Sequence, residues 1–212
     1  YGYWLWKPYL ILKILNKMQF GDILLYIDAG CHLRNNVICL EKYFEITKQS
    51  KCGILGFQKP NKHEYTGKSN YYLEKNWTKG DLLDHFNVRY NQNIINSPQI
   101  ISGVIIINKK DVSLTIMEKW WNTIKNYYEL LDDSNSTSKN LNGFIEHRHD
   151  QSILSIILKL NNCATLSTGE LEGLPAIFGN KPILALRDIG ERMNYRYFGI
   201  LKFTRILKYP IK

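Results

Sequence analysis

Asp28 ends an apolar run, Ile23-Leu24-Leu25-Tyr26-Ile27, and is followed by Ala29 and Gly30, which carry almost no side chain. A carboxylate so placed can hold a divalent cation, and the small residues after it let a bulky ligand approach the backbone. A strand that simply ends in an Asp turn is the plainer alternative. Lys7 precedes Pro8, and a residue before proline is pushed towards an extended conformation. Pro8 suits the first turn of a helix, so Lys7 is expected to project beside a helix N-terminus that already favours an anion. An ordinary exposed lysine is its alternative. Tyr3, Trp4 and Trp6 flank it, as core residues or as rings that could stack on a base. Ser102-Gly103 stands near the head of a second apolar run, where glycine signals a close approach to the backbone. A dense polar group, Glu146-His147-Arg148-His149-Asp150-Gln151, precedes an apolar helix. Asp150 is well placed to cap that helix, yet capping alone does not account for so many polar side chains together.

The elements that must position these residues can be read from periodicity. Apolar residues at Trp4, Pro8, Ile11, Leu12, Leu15 and Met18 form a helical stripe. Ile23–Asp28 reads as a buried central strand, with Asp28 at the C-terminal end where open α/β sheets place their ligands. Helices are expected over 33–46 and from Asp111 to near Leu131, strands over 52–57 and 100–108, and an apolar helix over 152–160. Gln58 to Asn96 is polar and aromatic-rich and longer than an ordinary connection, which marks a functional or mobile insertion containing one short helix over 79–86. Residues 132–142 read as a surface loop. The tail is turn-rich and then basic and aromatic, a composition that suits a membrane surface, a partner or a solvated helix face.

Composition narrows the classes. The chain has 212 residues, 44% hydrophobic and 22% charged, enough for one well-buried α/β domain over 1–212. No apolar run reaches the ~20 residues of a membrane span. The chain opens without Met and without the charged and apolar regions of a signal peptide, so it reads as a fragment that lacks strands before Ile23. A net charge of +9 favours anionic partners such as nucleotide phosphates, nucleic acid or acidic lipid. The lysines are scattered, and no nucleic-acid motif is present. Cys31, Cys39, Cys52 and Cys163 form no CxxC pair, which argues against zinc or a disulfide framework and for a reducing, cytoplasmic setting.

Three pieces in order, Tyr26-Ile27-Asp28-Ala29-Gly30, Ser102-Gly103-Val104-Ile105-Ile106-Ile107-Asn108 and His149-Asp150-Gln151-Ser152-Ile153-Leu154, resemble the GT-A-fold glycosyltransferases. The closest likeness is to the retaining galactosyl-, glucosyl- and mannosyltransferase-like families, with a D-x-D metal motif, an N/S-x-G-V/I strand and a D-Q helix start. The opening Tyr1-Gly2-Tyr3-Trp4-Leu5-Trp6-Lys7-Pro8 looks like a block of bacterial and viral sugar transferases. The resemblance spans Trp4 to Leu160. It implies a Rossmann-like, mixed but mostly parallel sheet flanked by helices. It also implies a nucleotide-sugar donor at the strand ends, a divalent metal (manganese or magnesium), and a glycan or glycolipid acceptor served by 58–96 and the tail, with possible peripheral membrane contact. Nucleic acid is not an implied partner. Asp28 matches the first acid of the metal motif, and Gly30 stands where the second should be. The metal then has one carboxylate from this segment, with His149, Asp150 or His147 as a further ligand, or is absent. Lys7 or Arg187 would in that case neutralise the diphosphate. By the same resemblance Asp150 accepts from sugar hydroxyls, Gln151 faces the anomeric carbon, Trp6, Ser102 and Gly103 lie along the donor, and Glu146 is an acceptor-side base. A non-catalytic nucleotide-sugar-binding domain of the same fold, or a basic nucleic-acid-binding protein, are the alternatives.

Overall fold

The structure is a computed structural model that describes residues 2–63, 66–172 and 181–185. A four-stranded sheet carries the fold, in the order β1 (Ile23–Ile27), β4 (Ile100–Asn108), β3 (Ile54–Gln58), β5 (Ala164–Ser167). A two-stranded ribbon pairs β2 (Cys31–Leu33) with β6 (Ile183–Ala185). Around them lie α1 (Trp6–Leu15), α2 (Val37–Gln49), the short α3 (Glu74–Trp77), α4 (Gly80–His85) and α5 (Gln92–Ile95), then α6 (Asp111–Asn126) and α7 (His149–Leu160).

The architecture is α/β with a mixed sheet, but two expectations fail. The sheet is not mostly parallel: β4 runs antiparallel to both β1 and β3, and only β3–β5 is parallel. Nor is Ile23–Ile27 the central strand, since it lies at one end of the order and is half-buried throughout. The interior strands are β4 and β3, and Val104 to Ile107 of β4, the longer of the two, are fully buried. Both faces of β1 are apolar because each meets a different layer. Leu24 and Tyr26 pack on the cluster built by α1, α6 and α7, while Ile23, Leu25 and Ile27 pack on the cluster beneath α2. A continuous apolar run therefore reports two covered faces and says nothing about how many strand neighbours lie alongside.

The helix over 33–46 begins later than expected, at Val37, with the Asn36 side chain accepting from the Cys39 N–H at 3.2 Å. Leu33 instead closes β2. The segment 58–96 is not a loose insertion. Leu82, Leu83, Phe86, Val88, Ile94 and Ile95 join the main core, through one-turn helices too short to show a period. All four cysteines are unbridged. No helix among the described residues is long and apolar enough to cross a membrane.

Candidate functional site

The register of β4 explains its small residues. Leu55 pairs with Ile106 but Phe57 pairs with Ile101, so β4 carries extra residues across a bulge at Ser102–Val104. Bulges re-aim side chains and are common beside sites. On its other side β4 keeps an unbroken register with β1, Ile27 opposite Val104, and the Asp28 N–H extends that ladder by donating to Gly103 O at 2.8 Å. A Cβ on Gly103 would stand 3.0 Å from Asp28 Oδ2. A larger residue there would push the carboxylate off by a few tenths of an ångström, so glycine lets it lie close against the strand.

From α1, Lys7 reaches into the same place. It does not project to solvent: it is 2% exposed. Its ammonium stands 3.3 Å from Asp28 Oδ1 and 3.2 Å from Asp150 Oδ2, and donates to Ser102 Oγ at 3.1 Å. Asp150 lies in the first turn of α7, but it is not the cap. The N-cap position is held by Arg148, whose side chain makes no capping bond and whose N–H donates to the Ser152 hydroxyl within the helix at 3.2 Å. Asp150 turns inward and is 3% exposed, and its Oδ2 accepts no well-aligned hydrogen bond despite the nearby ammonium. Burial pushes the Asp150 carboxyl above the usual range, and Lys7 pulls it down without cancelling that rise. Tyr26 completes the floor by donating its hydroxyl to Asp28 Oδ1 at 2.8 Å, and burial together with that bond raises the phenol.

Asp28, Gly30, Ser102, Gly103, Asp150 and Gln151 thus face one cleft of about 820 Å³, with Lys7 in its floor and Glu146 and Arg148 at its wall. Trp6 does not line it. It is 46% exposed with its ring 6.5 Å from that of Tyr26, and Trp4 lines the cleft instead. Tyr3, Trp4 and His149 all have positive φ (50°, 61° and 51°), a region that disfavours side chains. They are held there by one another, the His149 ring lying 4.7 Å from Tyr3 and 5.9 Å from Trp4. Arg187 and the basic aromatic tail lie outside the described residues.

The expected metal set does not assemble. Gly30 supplies no ligand, Asp28 is engaged by Tyr26 and Lys7, and His149 meets Leu131 O through Nδ1 at 2.9 Å and Asp133 through Nε2 at 3.7 Å. His147 is buried, with Nε2 donating to Leu130 O at 2.9 Å and Nδ1 accepting from the Lys79 N–H. Among the described residues no three His, Cys, Asp or Glu side chains form a group that could hold a metal ion. A dication on Asp28 would have to share the carboxylate with an ammonium already in contact with it. These residues do not fit a two-acid metal motif.

Sequence reasoning missed the layer behind Gln151. Its Nε2 donates to Gln99 Oε1 at 2.8 Å, and Gln99 Nε2 donates to Glu74 Oε1 at 2.9 Å. Glu74, fully buried, also accepts from Thr78, Ser155 and Lys159. A carboxylate can only accept, so Glu74 dictates which end of Gln99 faces it, and Gln99 in turn dictates which end of Gln151. Gln151, held through its Nε2, lines both the cleft and the smaller cavity behind it. No local pattern joins Glu74, Gln99 and Gln151.

Comparison with known proteins adds no relative: no family model, curated protein or solved structure matches the chain. The class defined by fold and site is an α/β protein with a polar cleft built around two carboxylates and a buried lysine.

Proposed function

We propose that the chain is a GT-A-type glycosyltransferase that moves a hexose from a nucleoside-diphosphate sugar to a glycan or lipid-linked acceptor, with retention of configuration. The observation that carries this reading is the meeting of Asp28, Lys7, Ser102–Gly103 and Asp150–Gln151 in one cleft. Its volume, about 820 Å³, is within the range of roughly 300–1,000 Å³ used for small ligands.

The charges of the floor suit the sugar end of the donor. Two carboxylates against one ammonium leave an excess negative charge beside the half-buried Gln151 amide. As the bond from the anomeric carbon to the phosphate oxygen breaks, its electron pair leaves on the diphosphate and positive charge develops on the sugar ring. Fixed negative charge and a preoriented amide stabilise that state more than the ground state. The acceptor hydroxyl forms the new bond, and its proton passes to the departing diphosphate. Asp150 holds sugar hydroxyls, and Ser102 and Gly103 lie along the sugar. Arg148, and Arg187 from the tail, are the cations that answer the diphosphate.

A second reading, a nucleotide-sugar-binding domain without turnover, is favoured by one observation: Lys7 already contacts both carboxylates. One experiment decides between them. Nucleoside diphosphates and their sugars are screened by thermal shift, with and without manganese, while release of the nucleoside diphosphate is followed. A ligand at 100 times its Kd should add about 2.7 kcal/mol and raise Tm by roughly 5–10 °C. A shift with release supports the enzyme, and a shift without release supports the binding domain. No shift with any nucleotide sugar overturns both.

A further inference from the structure

α1 is apolar almost all round, yet only one side of it is covered. Its inward residues Ile11, Leu12 and Leu15 belong to the main core. On the other side Trp6, Leu10 and Ile14, spaced four residues apart, stand with Tyr9 and are 46, 39, 38 and 50% exposed. A surface helix normally turns polar residues outward, and one apolar on every side is normally enclosed. The Tyr9 ring lies 5.4 Å from that of Trp121 on α6, and Phe20 stands exposed past the helix's C-terminal end, extending the apolar face at both ends. The charges along it are of one sign. Lys13 and Lys17 are exposed, the Lys13 ammonium lies 6.0 Å from the centre of the Tyr9 ring, and Lys109 stands 5.0 Å over Phe20. No acid occurs from Tyr1 to Gly21, and the first one, Asp22, accepts from the Gln19 N–H at 2.8 Å. On neighbouring α6 the exposed acids Asp111 and Glu118 are matched by the exposed Lys119 and Lys125.

We propose that the outward face of α1 docks on an anionic lipid bilayer, with the helix lying in the plane of the interface. Tryptophan and tyrosine rings suit the headgroup level, and aliphatic side chains between them reach the acyl boundary. Lysine stems run along apolar surface while their ammoniums reach lipid phosphates and carboxylates. The stripe from Trp6 to Ile14 is about 12 Å long at 1.5 Å per residue, enough for a shallow contact and far short of a span. Other occupants match the apolar residues but not the charge. A second copy would bring Lys13 and Lys17 towards their own equivalents, and the chain's tail after Glu191 carries arginines and lysines and no acid. Both bring like charge to a basic face, which opposes docking. An anionic bilayer takes up both properties at once, and the net charge of +9 favours its approach. The docked face borders the cleft, since Trp4 lines it and the Trp6 ring lies 6.5 Å from that of Tyr26 in its floor. None of this depends on the transferase reading.

The test sediments the full chain with vesicles of phosphatidylcholine alone or with about one-third phosphatidylserine. Binding should be at least roughly tenfold stronger on the anionic vesicles and should weaken as salt screens the lysines. Lys13→Ala and Lys17→Ala should each weaken it about fivefold. Leu10→Glu combined with Ile14→Glu should weaken it at least roughly tenfold. Thermal melts check that these exposed substitutions leave the fold intact, and Phe20→Ser, outside the helix, should weaken binding about threefold by the same loss of apolar contact. No binding to anionic vesicles, equal binding to neutral ones, or binding unchanged in the Leu10→Glu, Ile14→Glu and Phe20→Ser variants overturns the proposal. So does an oligomer, seen by sedimentation velocity, that the paired variant dissociates while the parent ignores vesicles, since the face then belongs to a second copy. The nucleotide-sugar thermal shift, run without vesicles, should be the same in the parent and the paired variant. Its failure removes the transferase and leaves the vesicle result standing.

Discussion

Two buried carboxylates, each facing a lysine, are treated in opposite ways by this fold. Glu74 has no exposed surface and accepts from Thr78 and Gln99 on one oxygen and from Ser155 and Lys159 on the other. Asp150 is almost as buried, but its Oδ2 has no aligned hydrogen bond, and the Lys7 ammonium beside it is shared with Asp28. The first site is saturated and can do nothing but hold α3, β4 and α7 together. The second keeps acceptor capacity and an elevated carboxyl pKa in reserve, beside a bulged strand and residues in left-handed conformations. Polar groups left incompletely satisfied at one place, in a protein that satisfies them fully at another, mark where a ligand is expected.

The comparison breaks most sharply at Glu74. Glu74→Ala should lose about 3–5 kcal/mol, because it strands the Lys159 ammonium and three further donors in the interior; urea unfolding measures it, and a loss below about 1 kcal/mol would mean the network is not structural. Asp150→Asn should do the reverse. Lys7 still has Asp28 at 3.3 Å, so no charge is orphaned. Because the native carboxyl pKa is raised, the ionised form costs stability at neutral pH, and the amide should leave Tm unchanged or higher. On the transferase proposal, sugar transfer should nevertheless fall roughly 100-fold or more. A large drop in Tm would make Asp150 structural too.

His147 sharpens the same contrast through pH. Burial first, and the Lys79 charge second, hold its imidazole down at about 3. The unfolded chain takes up this proton near the ordinary 6.5 and the native chain does not. Its stabilising contribution is therefore complete above about pH 6.5 and is lost as pH falls from there towards 3, by up to about 1.4 kcal/mol per pH unit. His147→Gln should flatten the decline measured by urea titration between about pH 6.5 and 5. The smallest effect belongs to the surface: Lys48→Ala removes an ion pair with Glu45 whose partners are both at least half exposed, and should change stability by less than about 0.5 kcal/mol.

Much of this architecture is legible in the amino-acid sequence. The isoleucine run of β4, the stripe of α1, the amphipathic α6 and the apolar α7 are all written in short-range periodicity. The small pair Ser102–Gly103 signals a close approach, and the neighbour is the Asp28 carboxylate. Other readings fail for definable reasons. β1 resembles a central strand because both its faces are covered, and coverage is not strand order. The stretch from 58 to 96 looks loose because single-turn helices leave no repeat. Trp6 and Trp4 cannot be ranked by sequence, because the left-handed turn that swings Trp4 to the cleft has no glycine at that position to announce it. The relay from Glu74 through Gln99 to Gln151 joins residues from α3, the head of β4 and α7, and nothing in their neighbourhoods links them.

Composition and periodicity by themselves determined that this chain builds an α/β layered core, and which few polar segments interrupt it. Those properties follow from preferences that act over a few residues. Only the tertiary structure decided that one lysine lies between two distant aspartates, that β4 and β3 and not β1 are interior, and that an amide pair divides two cavities. Such meetings depend on how separate elements cross and pack, and packing is a property of the assembled layers that no single segment carries.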